Sequence, residues 1–196
     1  LATYYPKESY WLILLNRISG KPGFSSRLSV DVLRLRMHHN MLKKPNDYME
    51  LAQLVLRDGA AGEAVKVINR GYKEGILGVG PDAARHQRLK DLADKNLAET
   101  KTKAAANEAD LVKTGDKDGL VALGYSLVSA GENAKGLAMM EAAIKAGGLK
   151  RPDDAKLRLG QAYAMAGNKS KAVSTLRTVG GKDGTAEIAR YTIMSL

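Results

Sequence analysis

The sequence predicts an all-α fold, a solenoid of antiparallel helix pairs built on a 36-residue unit and ended by a C-terminal capping helix. Three observations carry this. Gly23, Gly59, Gly131 and Gly167 lie 36, 72 and 36 residues apart, and Leu15, Leu51, Leu123 and Leu159 keep the same spacing eight positions ahead of them. Between these markers apolar residues recur three and four positions apart, the period of a helix face rather than of a strand. With one Trp and one Phe in 196 residues, the core must be made of Leu, Ala, Val, Ile and Met, side chains small enough for helices to pair closely.

The elements follow in order. A first helix is expected over residues 6–18, with Pro6 in its first turn, where a missing N–H does no harm. A second runs over 25–39, capped by Ser25 or Ser26, with Leu28, Val32 and Leu35 on one face. Leu33-Arg34-Leu35-Arg36 within it reads as core on one side and a solvated charged face on the other. Residues 43–47 connect to a second pair, 48–57 and 62–72, with Asn46 or Asp47 as cap. The glycine-rich loop 75–80 has neither a preceding strand nor the Lys-Ser/Thr of a phosphate loop, so Ile76 and Leu77 are expected to tuck under the next pair. Residues 82–116 form a polar helical segment with a narrow stripe of Leu89, Leu92, Ala93 and Leu97. Two further pairs span 118–146 and 153–179, and a closing helix, 186–194, covers the last pair with Ile188, Tyr191 and Ile193 while exposing Glu187 and Arg190. The units are thus about 6–40, 45–78, 81–115, 117–149 and 152–181, with a cap at about 184–195, in one elongated domain over 1–196.

The last unit is the most regular. Leu159 and Tyr163 share a face, Gly160 lets the partner helix approach, Ala166-Gly167-Asn168 ends the helix in residues that tolerate the left-handed conformation, and Ala172 and Leu176 return on the second helix. This pattern resembles the tetratricopeptide repeat, residue by residue at Leu159, Gly160, Tyr163, Ala172 and Leu176. The unit before it has Leu123, Gly124, Leu127, Gly136 and Met140 at those positions; the unit at Tyr48 has Leu51, Ala52, Val55, Ala64 and Ile68. Around Leu15 the pattern thins, with Asn16 in place of the glycine and Pro22 in the turn. Between Pro81 and Gly115 the register continues, but Arg88 replaces the glycine and Lys95 stands where the turn should be, so this unit is read as degenerate. The resemblance implies a right-handed superhelix.

Composition excludes several function classes. Without cysteine there are no disulfides, no thiolate catalysis and no cysteine-ligated metal. The longest wholly apolar run, residues 10–15, is far too short to span a bilayer. The histidines are His38, His39 and His86; adjacent positions on a helix point about a hundred degrees apart, so His38 and His39 cannot share a metal as an i, i+4 pair can. Asp116, Asp118, Asp153 and Asp154 read as helix starts, whose free N–H groups carboxylates accept. No nucleophile stands near a base in a catalytic pattern, so no enzyme, cofactor or metal is expected.

The net charge is +10. Up to Gly80 there are 12 Lys and Arg against 7 Asp and Glu, from Pro81 to Lys150 11 against 10, and from Arg151 onward 8 against 4, so the excess lies at the two ends. No dense basic run interleaved with aromatics marks a single-strand nucleic-acid site. The tetratricopeptide resemblance implies instead a protein-interaction scaffold that takes a peptide or partner segment on the concave face lined by each first helix. Carrying the register over, that face comprises Tyr10 and Arg17; Met49, Gln53 and Arg57; Arg85 and His86; Val121, Tyr125 and Ser129; and Leu157, Arg158, Gln161 and Met165. Arg57 and Arg158 are expected to face solvent. Arginines hold carboxylates bidentately, so an acidic segment or a free C-terminus would suit this groove. The alternative is a basic module for an anionic polymer such as nucleic acid. The stretches Tyr4-Tyr5-Pro6-Lys7, Tyr10-Trp11 and Lys21-Pro22-Gly23-Phe24-Ser25 also resemble the C-terminal half of exported proteobacterial tetratricopeptide proteins, which implies a periplasmic location, with the cytoplasm as alternative. The opening Leu1-Ala2-Thr3, without Met, is read as the start of a fragment.

Overall fold

The computed structural model describes residues 8–196, so the expected helix start at Pro6 lies outside the described residues. Among the described residues all regular structure is helical. Helix α1 (Glu8–Ser19) is followed by a 3-10 turn (Ser26–Leu28) and α2 (Ser29–His38). Next come α3 (Pro45–Arg57) and α4 (Ala61–Lys73), then one long helix, α5 (Ala83–Thr114). The pairs α6 (Lys117–Ser129) with α7 (Asn133–Ala146) and α8 (Pro152–Met165) with α9 (Lys169–Leu176) lead to α10 (Thr185–Ser195).

The turns show why the period is glycine. Gly23, Gly59, Gly131 and Gly167 have φ of 81°, 79°, 92° and 79°, the left-handed region where a Cβ is strained, and each lies in the turn that follows a first helix. Lys95, at the corresponding position of the third unit, cannot reverse the chain so cheaply. The helix therefore runs on for 32 residues until Gly115, at φ 68°, ends it. Asp116 then caps α6 by accepting the Gly119 N–H at 2.9 Å, and Asn168 caps α9 by accepting the Lys171 N–H at 3.1 Å. Asp47 does not cap α3 from in front. It sits in the first turn and reaches back to the N–H groups of Lys43 and Lys44.

Close pairing depends on the small residues of the pattern. A Cβ on Gly136 of α7 would lie 2.4 Å from the Gly124 carbonyl oxygen of α6, and one on Gly160 of α8 would lie 2.5 Å from Leu176 Cγ of α9. Leu77 tucks back from the loop into the space left by Gly71, and Gly78 donates its N–H to His86 Nδ1 at 3.1 Å.

The first and last described elements meet. Helix α10 packs on α9 and α8, and also on α2. Leu15, Ile18, Leu28, Val32 and Leu35 from the first pair share one buried cluster with Leu157, Leu176, Val179 and Ile188 from the last elements. Polar contacts line this seam: Arg27 grips Asp154 with two bonds of 2.7 Å and Asp183 with one of 2.6 Å, Lys21 pairs with Glu187, and Trp11 stacks on His39, whose Nε2 lies 2.9 Å from Ser195 Oγ. Asp153 and Asp154 are thus more than helix starts: Asp153 also accepts the Gly180 N–H at 3.0 Å.

Candidate functional site

At the centre, where α2, α4, α6 and α8 face one another, lies a buried polar cluster. Asp31, 0% exposed, accepts bonds from Arg158 at 2.5 and 3.2 Å, from Gln161 at 2.9 Å and from Arg34 at 2.9 Å. Arg34 turns its other edge to Glu63, which accepts from Nε at 2.7 Å and Nη2 at 2.8 Å. Tyr125 is flanked by both guanidinium groups, their carbons 5.6 and 5.8 Å from its ring centroid. Helix spacing brings these groups together: Asp31 and Arg34 are three apart on α2, and Arg158 and Gln161 three apart on α8, so each pair shares one face.

Burial would push the Asp31 carboxyl up, but the charges of Arg158 and Arg34 outweigh it and hold the group below its usual range. Burial pushes the Tyr125 hydroxyl up, so it stays a neutral phenol. Two carboxylates meet two guanidinium groups here, and the charges balance.

Beside this floor a cavity of about 430 Å3 opens between α2, α4, α8 and α10. Its walls are mainly apolar, with Leu35, Met37, Val67, Ala164 and Met165 among them, and the exposed Lys66 and His38 also line it. Arg70, on the same rim, is held by the Met37 carbonyl at 2.8 Å and by Glu74 at 2.8 Å. A second groove, about 530 Å3, shares Tyr125 with the first and is bounded by Asp58, Asp118, Lys150, Arg151, Asp154 and Arg158. Among the described residues no group of three or more acidic or histidine side chains is placed to hold a metal ion.

The residues read from the sequence as one concave row are divided by the structure. Tyr125, Arg158 and Gln161 come together in the polar cluster, and Met165 joins Tyr125 and Gln161 around the cavity. Tyr10 and Arg17 lie apart on α1, Gln53 and Arg57 are exposed on α3, and Arg85 is exposed at the start of α5. Met49, His86, Val121, Ser129 and Leu157 are buried and offer nothing to a partner in this arrangement. Arg158 does not face solvent as expected; Asp31 holds it inward, whereas the Arg57 side chain is 64% exposed. Arg34 likewise leaves the solvated face assigned to it, because Glu63 and Asp31 compensate its charge inside. The central partners Asp31 and Glu63 lie on second helices, which the first-helix register passes over. Their one signal in the sequence is an acid inside an apolar stripe, Val30-Asp31-Val32.

Compared with protein-family models, curated proteins and solved structures, the chain matches none.

Proposed function

We propose that this chain is a tetratricopeptide-like helical-repeat module that works by binding rather than catalysis, taking a segment of a partner protein into the cavity between α2, α4, α8 and α10. One observation carries the reading: an apolar cavity of about 430 Å3 stands open over a hydrogen-bonded, charge-balanced floor, with Lys66 and His38 along its lining. Apolar walls with a few placed polar groups are the usual form of a ligand site. An aliphatic or aromatic side chain would fill the cavity, and an acidic neighbour in the segment would complement Lys66. The four positive-φ glycines at the 36-residue period support the repeat assignment. The meeting of the two basic ends favours segment binding over a polyanion, because Lys21, Arg27, Arg34 and Arg158 are turned onto carboxylates instead of outward. A periplasmic setting is part of the proposal, on the resemblance to exported proteins.

Selection of a displayed random peptide library on the protein tests this. Enriched peptides should pair a large apolar residue with an acidic one, and Met165→Trp, which fills the cavity, should abolish their binding while Arg85→Glu leaves it unchanged. Peptides that bind Met165→Trp as tightly as the parent would place the site elsewhere. Steep loss of binding with salt would favour the polyanion reading through counterion release.

A further inference from the structure

The seam between α1 and α10 encloses a further hollow of about 470 Å3. One wall is the end of α1 with the turn that follows it, and the other is the first two turns of α10. No residue lines both this hollow and the cavity between α2, α4, α8 and α10.

Its charges do not balance. Three cations, Arg17, Lys21 and Arg190, face it against one carboxylate, Glu187. In the groove beside Tyr125, by contrast, Asp58, Asp118 and Asp154 stand against Lys150, Arg151 and Arg158, and in the hollow around Arg27 the carboxylates are in excess. Glu187 is already engaged: its Oε1 pairs with Lys21, and its Oε2 is buried without a partner. Arg17 and Arg190 are both exposed, and neither meets a carboxylate at ion-pair distance among the described residues. A cation suits the last turn of α1, where Arg17 stands, because the free carbonyls of a helix end attract it. Arg190 is in the middle of α10, where that reason is absent. Two like charges lining one concavity repel each other, and an anion between them turns the repulsion into attraction.

We propose that this hollow binds a small organic dianion, a phosphate monoester or a dicarboxylate, held between the guanidinium groups of Arg17 and Arg190. Guanidinium forks match the paired oxygens of both anionic groups. Ile18, Pro22 and the ring of Tyr191 supply the apolar part of the wall, so the body of the ligand is a short aliphatic chain or a ring. One arginine comes from α1 and the other from α10, so the bound anion ties the first described helix to the last and stabilises the seam by mass action.

Calorimetric titration of the whole chain with inorganic phosphate, phenyl phosphate, phthalate and benzoate tests this, at constant ionic strength and about pH 8, where a phosphate monoester carries two charges. Phenyl phosphate or phthalate should bind at one site per chain, at least about tenfold tighter than inorganic phosphate, which has no apolar body, and than benzoate, which has a single charge. The tighter of the two names the anionic group. Saturation should raise the thermal midpoint and slow amide exchange at residues 18–21 and 187–191. Arg17→Gln and Arg190→Gln should each weaken binding at least about tenfold while leaving the midpoint of the free protein nearly unchanged, since both side chains are exposed. Arg57→Gln, which removes the same charge from an exposed position on α3, should bind as the parent does. Binding that does not saturate, that survives Arg190→Gln, or that Arg57→Gln weakens equally would overturn the proposal. Met165→Trp, which fills the peptide cavity, should bind the anion like the parent, so the two readings fail separately.

Discussion

Asp31 and Arg158 are 127 positions apart in the chain, and in the fold the guanidinium donates two hydrogen bonds, of 2.5 and 3.2 Å, to a carboxylate that has no contact with solvent. This contact joins the first helix pair to the last. It also takes Arg158 out of the surface to which its helical position would assign it.

Removing one partner of such a cluster leaves charge inside it uncompensated. Asp31→Ala should cost about 3–5 kcal/mol, because Arg158 would lose its carboxylate partner and Arg34 one of its two, keeping only Glu63. Asp58→Ala, which removes only a 3.5 Å pair with the exposed Arg57, should stay within about 0.5 kcal/mol. Arg158→Glu should lower the melting midpoint strongly by setting a second carboxylate against Asp31, whereas Arg57→Glu should not. Urea and thermal melts of the four variants check this.

The α3–α4 turn docks on the end of α6 with no room to spare. A Cβ on Gly62 would lie 2.1 Å from the Ser129 carbonyl oxygen, and Ser126 Oγ donates to the Gly59 carbonyl at 2.6 Å. Gly62→Ala must push backbone against backbone and should cost about 1–3 kcal/mol or more. Gly20→Ala, whose nearest neighbour would be at an ordinary 3.5 Å, should be neutral. Equal midpoints for the two variants would contradict the close approach.

Stability should fall in two separate steps on acidification. Desolvation, then the neighbouring His38, lowers the His39 imidazole to about 4 from an ordinary 6.5. The unfolded chain then takes up a proton that the folded one refuses, so stability present above pH 6.5 is lost as the pH falls toward about 4. The hydrogen bond from Thr185, and then that from Arg27, hold the Asp183 carboxyl near 2 against an ordinary 3.8, so its contribution is intact above about pH 4 and disappears between there and about pH 2. Denaturation free energy measured across pH should lose the first step in His39→Gln and the second in Asp183→Asn.

The second half of α5 should be the least protected helix. From residue 99 to 110 only Ala104 is buried, and the Glu99–Lys103 ion pair at 2.9 Å is on the surface, where such a pair adds little. Amide exchange at 99–110 should be faster than anywhere in α6 or α7. Protection there equal to that of 121–128 would show that something covers this stretch.

Much of this architecture was legible in the chain because it is local. A glycine at a fixed interval reports a φ that other residues resist, Gly160 and Ala172 report helices in close contact, and Lys95 in the turn position foretold the unbroken α5. The same locality misled where charge was concerned. Leu33-Arg34-Leu35-Arg36 fits a solvated helix face by its periodicity, and nothing within ten residues of Arg34 announces that Glu63 will meet it. Of the concave row, Tyr125, Arg158, Gln161 and Met165 converge, since they lie on the two first helices nearest the centre; Arg17, Arg57 and Arg85 do not.

By itself the sequence determined the helices, their pairing and their turns, since each depends on residues within one 36-residue unit: capping groups, left-handed glycines, and small residues facing large ones. Only the tertiary structure decided which distant elements meet. Helix α10 packs on α2, and across more than a hundred residues Arg27 reaches Asp154 and Asp31 reaches Arg158. The location of the cavity and the inward turn of Arg34 and Arg158 follow from these contacts, because a charge is turned inward only where a distant carboxylate arrives to compensate it.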